Sequence, residues 1–313
     1  MVDTNKFVGC IVGAACGDAL GMPTEYISQR ELNELYGGCV SNFLAPSIHH
    51  PCSHLNPGQF TDDTQQLLLL AESLLESDGL DIVNFGQKMG EWAFRCYHEP
   101  GYNRFAGGTS LRSSMRIYDG EIPGTTGRDS PACGAAMRIA PIGLFYHNDT
   151  EKLDNAAEAC SAVTHTHPAC VEGGKIIARM VSTGINDQDP FQSLQDLTDN
   201  STTSLKDRLQ YVLDNVTVSP KDVGRYMGMS ESIFETIPMA LHCFLHSPNS
   251  FERTLIEAAN LVPGDTDSIA CIAGAMSGAR NGLHSIPSRF RDKIEDKEHL
   301  ESIAVRIHQK VTE

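Results

Sequence analysis

Phe7-Val8-Gly9-Cys10-Ile11-Val12-Gly13-Ala14-Ala15-Cys16-Gly17-Asp18-Ala19-Leu20-Gly21 is an apolar, small-residue run in which glycine recurs at every fourth position. Residues four apart share one face of a helix. Glycine inside a helix costs about 1 kcal/mol relative to alanine. A row of glycines therefore makes sense where another backbone or a ligand must come close. Gly274, Gly278 and Gly282, extended backwards by Ala270, repeat the period near the other end of the chain. Tight helix–helix packing is the favoured reading of both rows. Such packing is also what would bring distant site residues together.

Outward from this run the pattern is helical almost throughout. Residues 65–75 are Leu-rich and stop before Asp78-Gly79. Residues 81–96, 108–118, 133–146, 151–163, 170–182, 204–214, 230–245, 250–261 and 267–280 also suit helices. Strand-like alternation is scarce, and 211–218 is its best instance. The longest irregular stretch, 37–59, carries Pro46, Pro51, Pro57 and Gly58. A loop of that length in a compact domain is often functional. No Pro/Gly/Ser-rich linker divides the chain. The expectation is one all-α domain over residues 1–313.

Composition narrows the function classes. Among 313 residues, 41% are hydrophobic and 20% charged, as in ordinary soluble proteins. The formal net charge of −16 argues against broad nucleic-acid binding, because it repels a phosphate backbone. It also means that an anionic ligand would need cations or backbone N–H groups to hold it. The ten cysteines are scattered with no C-x-x-C pair, and read as reduced, buried thiols. No secretory signal is visible. The unbroken apolar part of the first run, interrupted by Asp18, reads as shorter than the roughly 20 residues of a membrane span. A cytoplasmic protein without membrane association is expected.

Two acidic clusters stand out. Thr61-Asp62-Asp63-Thr64 precedes the apolar run Leu67–Leu70, and Gly264-Asp265-Thr266-Asp267-Ser268 precedes Ile269-Ala270-Cys271-Ile272. One acid or hydroxyl at such a place caps a helix. Paired acids with hydroxyls, presented twice, exceed what capping needs. If the two N-termini converge, four carboxylates meet, and repulsion would push their pKa values up unless divalent cations intervene. All-oxygen donors point to Mg²⁺, Mn²⁺ or Ca²⁺ rather than Zn²⁺. From residue types alone, capping and metal binding remain balanced. Asp18 could support a metal or cap a neighbouring helix. Glu25 follows the helix end at Gly21 and Pro23, and becomes an acid/base candidate if it lies beside such a site.

Five segments in order resemble the ADP-ribosylglycohydrolase family, which includes dinitrogenase-reductase-activating glycohydrolases and ADP-ribosyl-acceptor hydrolases. They are Gly17-Asp18-Ala19-Leu20-Gly21 with Glu25, Thr61-Asp62-Asp63-Thr64, Gly134-Ala135-Ala136-Met137-Arg138-Ile139-Ala140-Pro141, Thr164-His165, and Gly264-Asp265-Thr266-Asp267-Ser268-Ile269-Ala270. The resemblance implies an all-α orthogonal helical bundle with a dinuclear Mg²⁺ or Mn²⁺ centre. It implies Thr61, Asp62, Asp63, Asp265, Asp267 and Ser268 as ligands, and gives catalytic parts to Glu25, Asp62 and Asp267. Glu25 would act as a ligand, a gate or an acid/base. Gly107, Gly108, Ser130, Cys133, Gly134 and His165 would bind substrate. Backbone N–H groups of 130–134 would face the pyrophosphate, and His165 would reach the ribose. The implied reaction is hydrolysis of the glycosidic bond between ADP-ribose and an acceptor, with an ADP-ribosylated protein or a related conjugate as substrate. Two alternatives stand beside it: a non-catalytic ADP-ribose-binding or crystallin-like member, and a hydrolase of another ADP-ribose or nucleotide conjugate.

The sequence departs from the family's arginine-directed branch. Where that branch has Asp-x-Gly-x-Thr, this chain has Phe105-Ala106-Gly107-Gly108-Thr109, so Phe105 stands where an assisting Asp is expected and arginine specificity is in doubt. Pro131 and Cys133 also vary from the family pattern. The resemblance leaves open the scissile linkage, the acceptor, the preferred metal and the oligomeric state. His49, His50, Cys52 and His54 fit no zinc spacing and read as the rim of a pocket. Trp92 reads as core. Cys133 has no identifiable base and is not expected to be a nucleophile.

Overall fold

The structure, a computed structural model, describes residues 3–312. Its helices are α1 (Thr4–Gly21), α2 (Gln29–Tyr36), α3 (Asp62–Ser77), α4 (Ile82–His98), α5 (Gly108–Tyr118) and α6 (Ala140–Phe145). They continue with α7 (Thr150–Ala162), α8 (Pro168–Ile185), α9 (Pro190–Asp199), α10 (Leu205–Asp214) and α11 (Pro220–Met227). The last are α12 (Ile233–His246), α13 (Phe251–Ala259), α14 (Thr266–Asn281), α15 (Ser288–Arg291) and α16 (Lys297–Thr312). No β-strand occurs among the described residues, and the all-α expectation holds.

The two glycine rows face each other. An ideal Cβ on Gly9 would lie 2.5 Å from the Gly278 carbonyl oxygen, and one on Gly13 2.5 Å from that of Gly274. One on Gly17 would lie 2.0 Å from the oxygen of Ala270, and one on Gly21 2.3 Å from that of Thr266. Each step of four forward in α1 is matched by a step of four backward in α14, so the two helices run antiparallel in backbone contact. No larger residue fits this seam at these four glycines without a backbone shift. Its geometric result is that the C-terminal end of α1, with Asp18 and the following Glu25, meets the N-terminal end of α14, with Asp265 and Asp267. The Thr266 hydroxyl donates to the Gly21 carbonyl at 2.9 Å and fixes the junction.

The other helices surround this pair. α8, α12 and α13 pack on α14, while α13 and α16 pack on α1. One connected apolar core draws side chains from Phe7 through Ile307. Burial of this kind contributes about 25 cal/mol per Å² of apolar surface. Trp92 is buried as expected, and its indole N–H donates to Gln65 Oε1 at 3.0 Å. α1 needs a correction. The stretch Thr4–Thr24 is long and apolar enough to cross a membrane, with a mean hydropathy of 1.4. Its apolar stretch is nonetheless wholly buried inside the protein, where it serves as the central core helix.

Several elements differ from the periodicity reading. Residues 211–218 are not strand-like; they finish α10 and turn. The helix expected over 133–146 divides into a short 3-10 turn at Cys133–Ala135 and α6, because Pro141 can start a helix but not continue one. α2, α9, α11, α15 and α16 lie outside the stretches expected to be helical. α9 and α11 open with Pro190 and Pro220 in the first turn, behind the capping side chains of Asp189 and Ser219. α2 starts in a capping box formed by Ser28 and Glu31. Residues 37–59 are irregular, as expected.

Candidate active site

Asp62 and Asp63 occupy the first turn of α3, behind Thr61, whose hydroxyl caps the helix by accepting from the Asp63 N–H at 3.4 Å. Asp18 reaches across from α1 to the same helix start. Its carboxylate accepts the Thr61 N–H at 2.9 Å, the Thr64 N–H at 3.0 Å and the Thr64 hydroxyl at 2.6 Å. Helix capping, one of its two readings, is what these contacts show. On α14, Asp265 stands at the N-cap position but makes no capping hydrogen bond. It instead accepts the Cys133 thiol at 3.3 Å. Asp267 follows two residues on and accepts the Ser268 N–H at 2.9 Å.

These groups form one acidic chamber. Asp18, Glu25, Asp62, Asp63, Asp265 and Asp267 are all buried, each at most 6% exposed. Ligand-capable oxygens of Glu25, Asp265 and Asp267 lie within 4.8 Å of one another. Burial, and after it the charge of Asp267, pushes the Asp62 carboxyl up to about 8, against the donation of Gln66 and the Gly107 N–H. Burial and Asp267 likewise push Asp18 up to about 7. Glu25, Asp63 and Asp267 are driven well up by burial first and by their carboxylate neighbours second. Glu25 Oε2 and Asp63 Oδ2 are buried without any hydrogen-bond partner in the protein. Partnerless buried acceptors on ionisable groups are costly, and a hard divalent cation is the charge that would satisfy them.

The chamber opens into a cavity of about 670 Å³, within the range of roughly 300–1,000 Å³ usual for small-molecule sites. Glu25, Asp62, Asp63, Asp265, Asp267 and Ser268 line one end. Gly107, Gly108, Ser130, Cys133, Gly134 and His165 line the rest.

Against this geometry, the sequence profile of the family described as ADP-ribosylglycohydrolase matches residues 2–313. The chain belongs to this family. An uncharacterized protein of Archaeoglobus fulgidus is 35% identical, covering 97% of this chain and 96% of its own. Human ADP-ribosylhydrolase ARH3 is 25% identical, with 97% and 93% covered. A solved structure titled "ADP-ribosylglycohydrolase-related protein complex" superposes with a TM-score of 0.79 at 26% identity, covering 98% of each chain. The protein is thus a hydrolase whose family acts on ADP-ribosyl glycosidic bonds.

The ADP-ribosylglycohydrolase motifs are dispersed in sequence and gathered here. Of the ligand, catalytic and substrate-binding residues that the resemblance implies, Thr61 alone does not line the cavity. Two of the N–H groups expected to face a pyrophosphate are already engaged: that of Ser130 donates to the Arg128 carbonyl and that of Cys133 to the Glu231 carbonyl, each at 2.9 Å. The expectation for 130–134 is corrected at those two positions. The Cys133 thiol is pushed well up by burial and by Asp265, so it is a hydrogen-bond donor and not a nucleophile. The glycine at 134 has a direct reason: a Cβ there would lie 2.9 Å from His165 Cε1.

Sequence reasoning missed Tyr26, Arg112 and Glu231, which also line the cavity. The Tyr26 hydroxyl donates to Glu231 Oε2 at 3.0 Å. Arg112 was within reach of the pattern, because it sits one helical turn after Gly108 on the same face. His50, read as part of a polar rim, is instead 7% exposed. Its Nδ1 accepts the Cys52 N–H at 3.0 Å, and its Nε2 lies 3.7 Å from Glu25 Oε2. Phe105 sits at the cavity mouth with φ +67° and packs against the Tyr26 and His50 rings.

Proposed function

We propose that this protein hydrolyses the glycosidic bond between ADP-ribose and an acceptor, an ADP-ribosylated protein or a related conjugate, with the aid of two Mg²⁺ or Mn²⁺ ions. The observation that carries the reading is the acidic chamber: buried carboxylates from three separate segments converge on one cavity, and two of their oxygens lack a hydrogen-bond partner in the protein. Asp62, Asp63, Asp265, Asp267 and Ser268 would hold the ions, with Thr61 contributing at the start of α3. Bound divalent cations would supply Lewis acidity and neutralise the carboxylates.

The chain's own groups supply the remainder. Glu25 takes or delivers the proton at the scissile linkage; burial and the neighbouring carboxylates raise its carboxyl above the usual range and so favour the protonated form it would need as a donor. Such a bond breaks through an oxocarbenium-like transition state, which the carboxylate-rich wall stabilises electrostatically. Arg112, the one arginine or lysine lining the cavity among the described residues, offers a cation to the pyrophosphate. Phe105 places an aromatic wall where the arginine-directed branch has an Asp, so a guanidinium leaving group is not the favoured acceptor. We also infer a single domain and a cytoplasmic location, the latter because all ten cysteines are free thiols.

The test is release of ADP-ribose from serine-, arginine- and small-molecule-linked ADP-ribosyl substrates, assayed side by side with Mg²⁺ or Mn²⁺. Metal-dependent release from at least one linkage is expected, with the arginine linkage the slowest. Metal binding without release from any linkage would overturn the proposal and favour a binding-only member.

A further inference from the structure

A continuous line of hydrogen bonds runs through the interior behind the cavity. Asp62 Oδ2 accepts from Gln66 Nε2 at 2.7 Å, and Gln66 Oε1 accepts from Arg138 Nη1 at 2.7 Å. Arg138 Nη2 donates to Thr164 Oγ1 at 2.6 Å and to the Cys160 carbonyl at 3.4 Å. Thr164 Oγ1 lies 2.8 Å from His165 Nδ1. Gln66, Arg138 and Thr164 are completely buried, while Asp62 and His165 line the cavity at the two ends.

Arg138 decides the polarity of this line. A guanidinium has only donors and stays protonated. The Gln66 amide must therefore turn its oxygen to Arg138, which turns its NH₂ group to Asp62. At the other end, the Thr164 oxygen accepts from Arg138. Its single hydroxyl proton then has one described acceptor, His165 Nδ1. His165 accepts at Nδ1 and so carries its own proton on Nε2, the nitrogen with no protein partner, on a ring that lines the cavity. Burial first, and the Arg138 charge second, hold its pKa down to about 3, so the ring is neutral. Packing alone does not account for Arg138. Its guanidinium lies over the Phe85 ring at 5.4 Å, a contact that a methionine could also make, yet it joins two separate cavity walls through fixed donors.

We infer that Arg138 is a positioning residue: through Gln66 it holds Asp62 as a fixed acceptor, and through Thr164 it locks His165 as a neutral Nε2–H donor aimed at an oxygen of the ADP-ribosyl substrate. The assignment of that oxygen rests on the proposed function. The tautomer does not.

The experiment reads the two separately. In the ligand-free, Mg²⁺-loaded protein with ¹⁵N-labelled histidine, two-bond ¹H–¹⁵N correlation reports which His165 nitrogen carries the proton. The Nε2–H form is expected in the wild type. Thr164→Val keeps the shape and removes the hydroxyl, so it should mix the tautomers. It should also weaken ADP-ribose binding about tenfold, the order expected for one fixed hydrogen bond to a charged or polar ligand. Mg²⁺ affinity should stay unchanged, and Thr164→Ser should restore both readouts. Arg138→Met should mix the tautomers as well; if it fails to fold, the Thr164 pair decides alone. A wild-type His165 protonated on Nδ1, or a Thr164→Val protein with unchanged tautomer and affinity, overturns the inference. A wild type that binds no ADP-ribose at all overturns the proposed function instead, while the tautomer still tests the relay.

Discussion

At the start of α3, Thr61 caps its own helix and Asp18 crosses from α1 to hold two more N–H groups. At the start of α14, Asp265 occupies the capping position and caps nothing. The two stretches look alike in sequence, yet the first combines helix-end chemistry with the chamber and the second gives its acids almost wholly to the chamber. The difference follows from what holds each helix. α3 is anchored at its N-terminus by an imported carboxylate. α14 is held along its length by the glycine seam, so its end is free to carry uncompensated acids.

The sharpest way to break this comparison is at α14. Asp267→Ala should lower turnover by at least about a thousandfold, the order seen when a main electrostatic stabiliser of the transition state is lost. The metal-free variant should melt no lower than the metal-free wild type, because a buried repulsive charge has been removed. Steady-state kinetics and thermal melting check both. Near-normal turnover would mean that the α14 acids are not the functional ones.

The matching change at α3 should act on stability. Asp18→Ala leaves the Thr61 and Thr64 N–H groups buried without their acceptor, a loss of about 1–3 kcal/mol. Urea unfolding reads it. If Asp18→Ala costs nothing while Asp267→Ala is strongly destabilising, the roles given to the two helix starts are reversed.

The smallest effect is the pH dependence of the metal-free protein. Asp18 and Asp62 rise from ordinary carboxylate values to about 7 and about 8 on folding. The folded state thus binds more protons than the unfolded chain, and stability falls as pH climbs through those values. His165 and His50 are depressed to about 3 and about 4, so their opposite effect is confined below the ordinary histidine pKa of 6.5. At higher pH the buried cysteines, whose thiols burial pushes up, add a fall of their own; between pH 6.5 and 7.5 the carboxylates dominate. The melting temperature should drop by a few degrees across that window, and saturating Mg²⁺ or Mn²⁺ should abolish the drop. A flat metal-free profile would argue that the chamber carries less repulsion than its geometry implies.

Much of this was legible in the residues themselves. Both glycine rows announced a close approach, and their shared period of four is what the antiparallel seam uses. Both acidic clusters were visible, but their convergence was not, because nothing local in 61–64 refers to 264–268. It is the seam, a tertiary feature, that joins them. Asp18 could be read as a helix cap from its residue type, but only the distances to Thr61 and Thr64 show which helix it caps. The helices that escaped the periodicity search are mostly short, and α9 and α11 are marked by a leading proline and a capping side chain more than by an apolar stripe. His50 was misread for a related reason. A polar loop residue looks like rim until the fold turns it inward against Glu25 and Phe105.

The seam also sets a schedule for making the protein. α1 is apolar on nearly every side and leaves the ribosome well before α14, because its partner residue for Gly21 lies 245 positions later. At synthesis rates of ~5–20 residues per second, that wait is roughly 10–50 s. For that time the helix has its groove of glycines and no ridge to fill it. Contacts so distant in the chain close slowly and leave sticky surface open meanwhile. Because its walls come from both sides of the seam, the acidic chamber is among the last parts of the molecule to come into being.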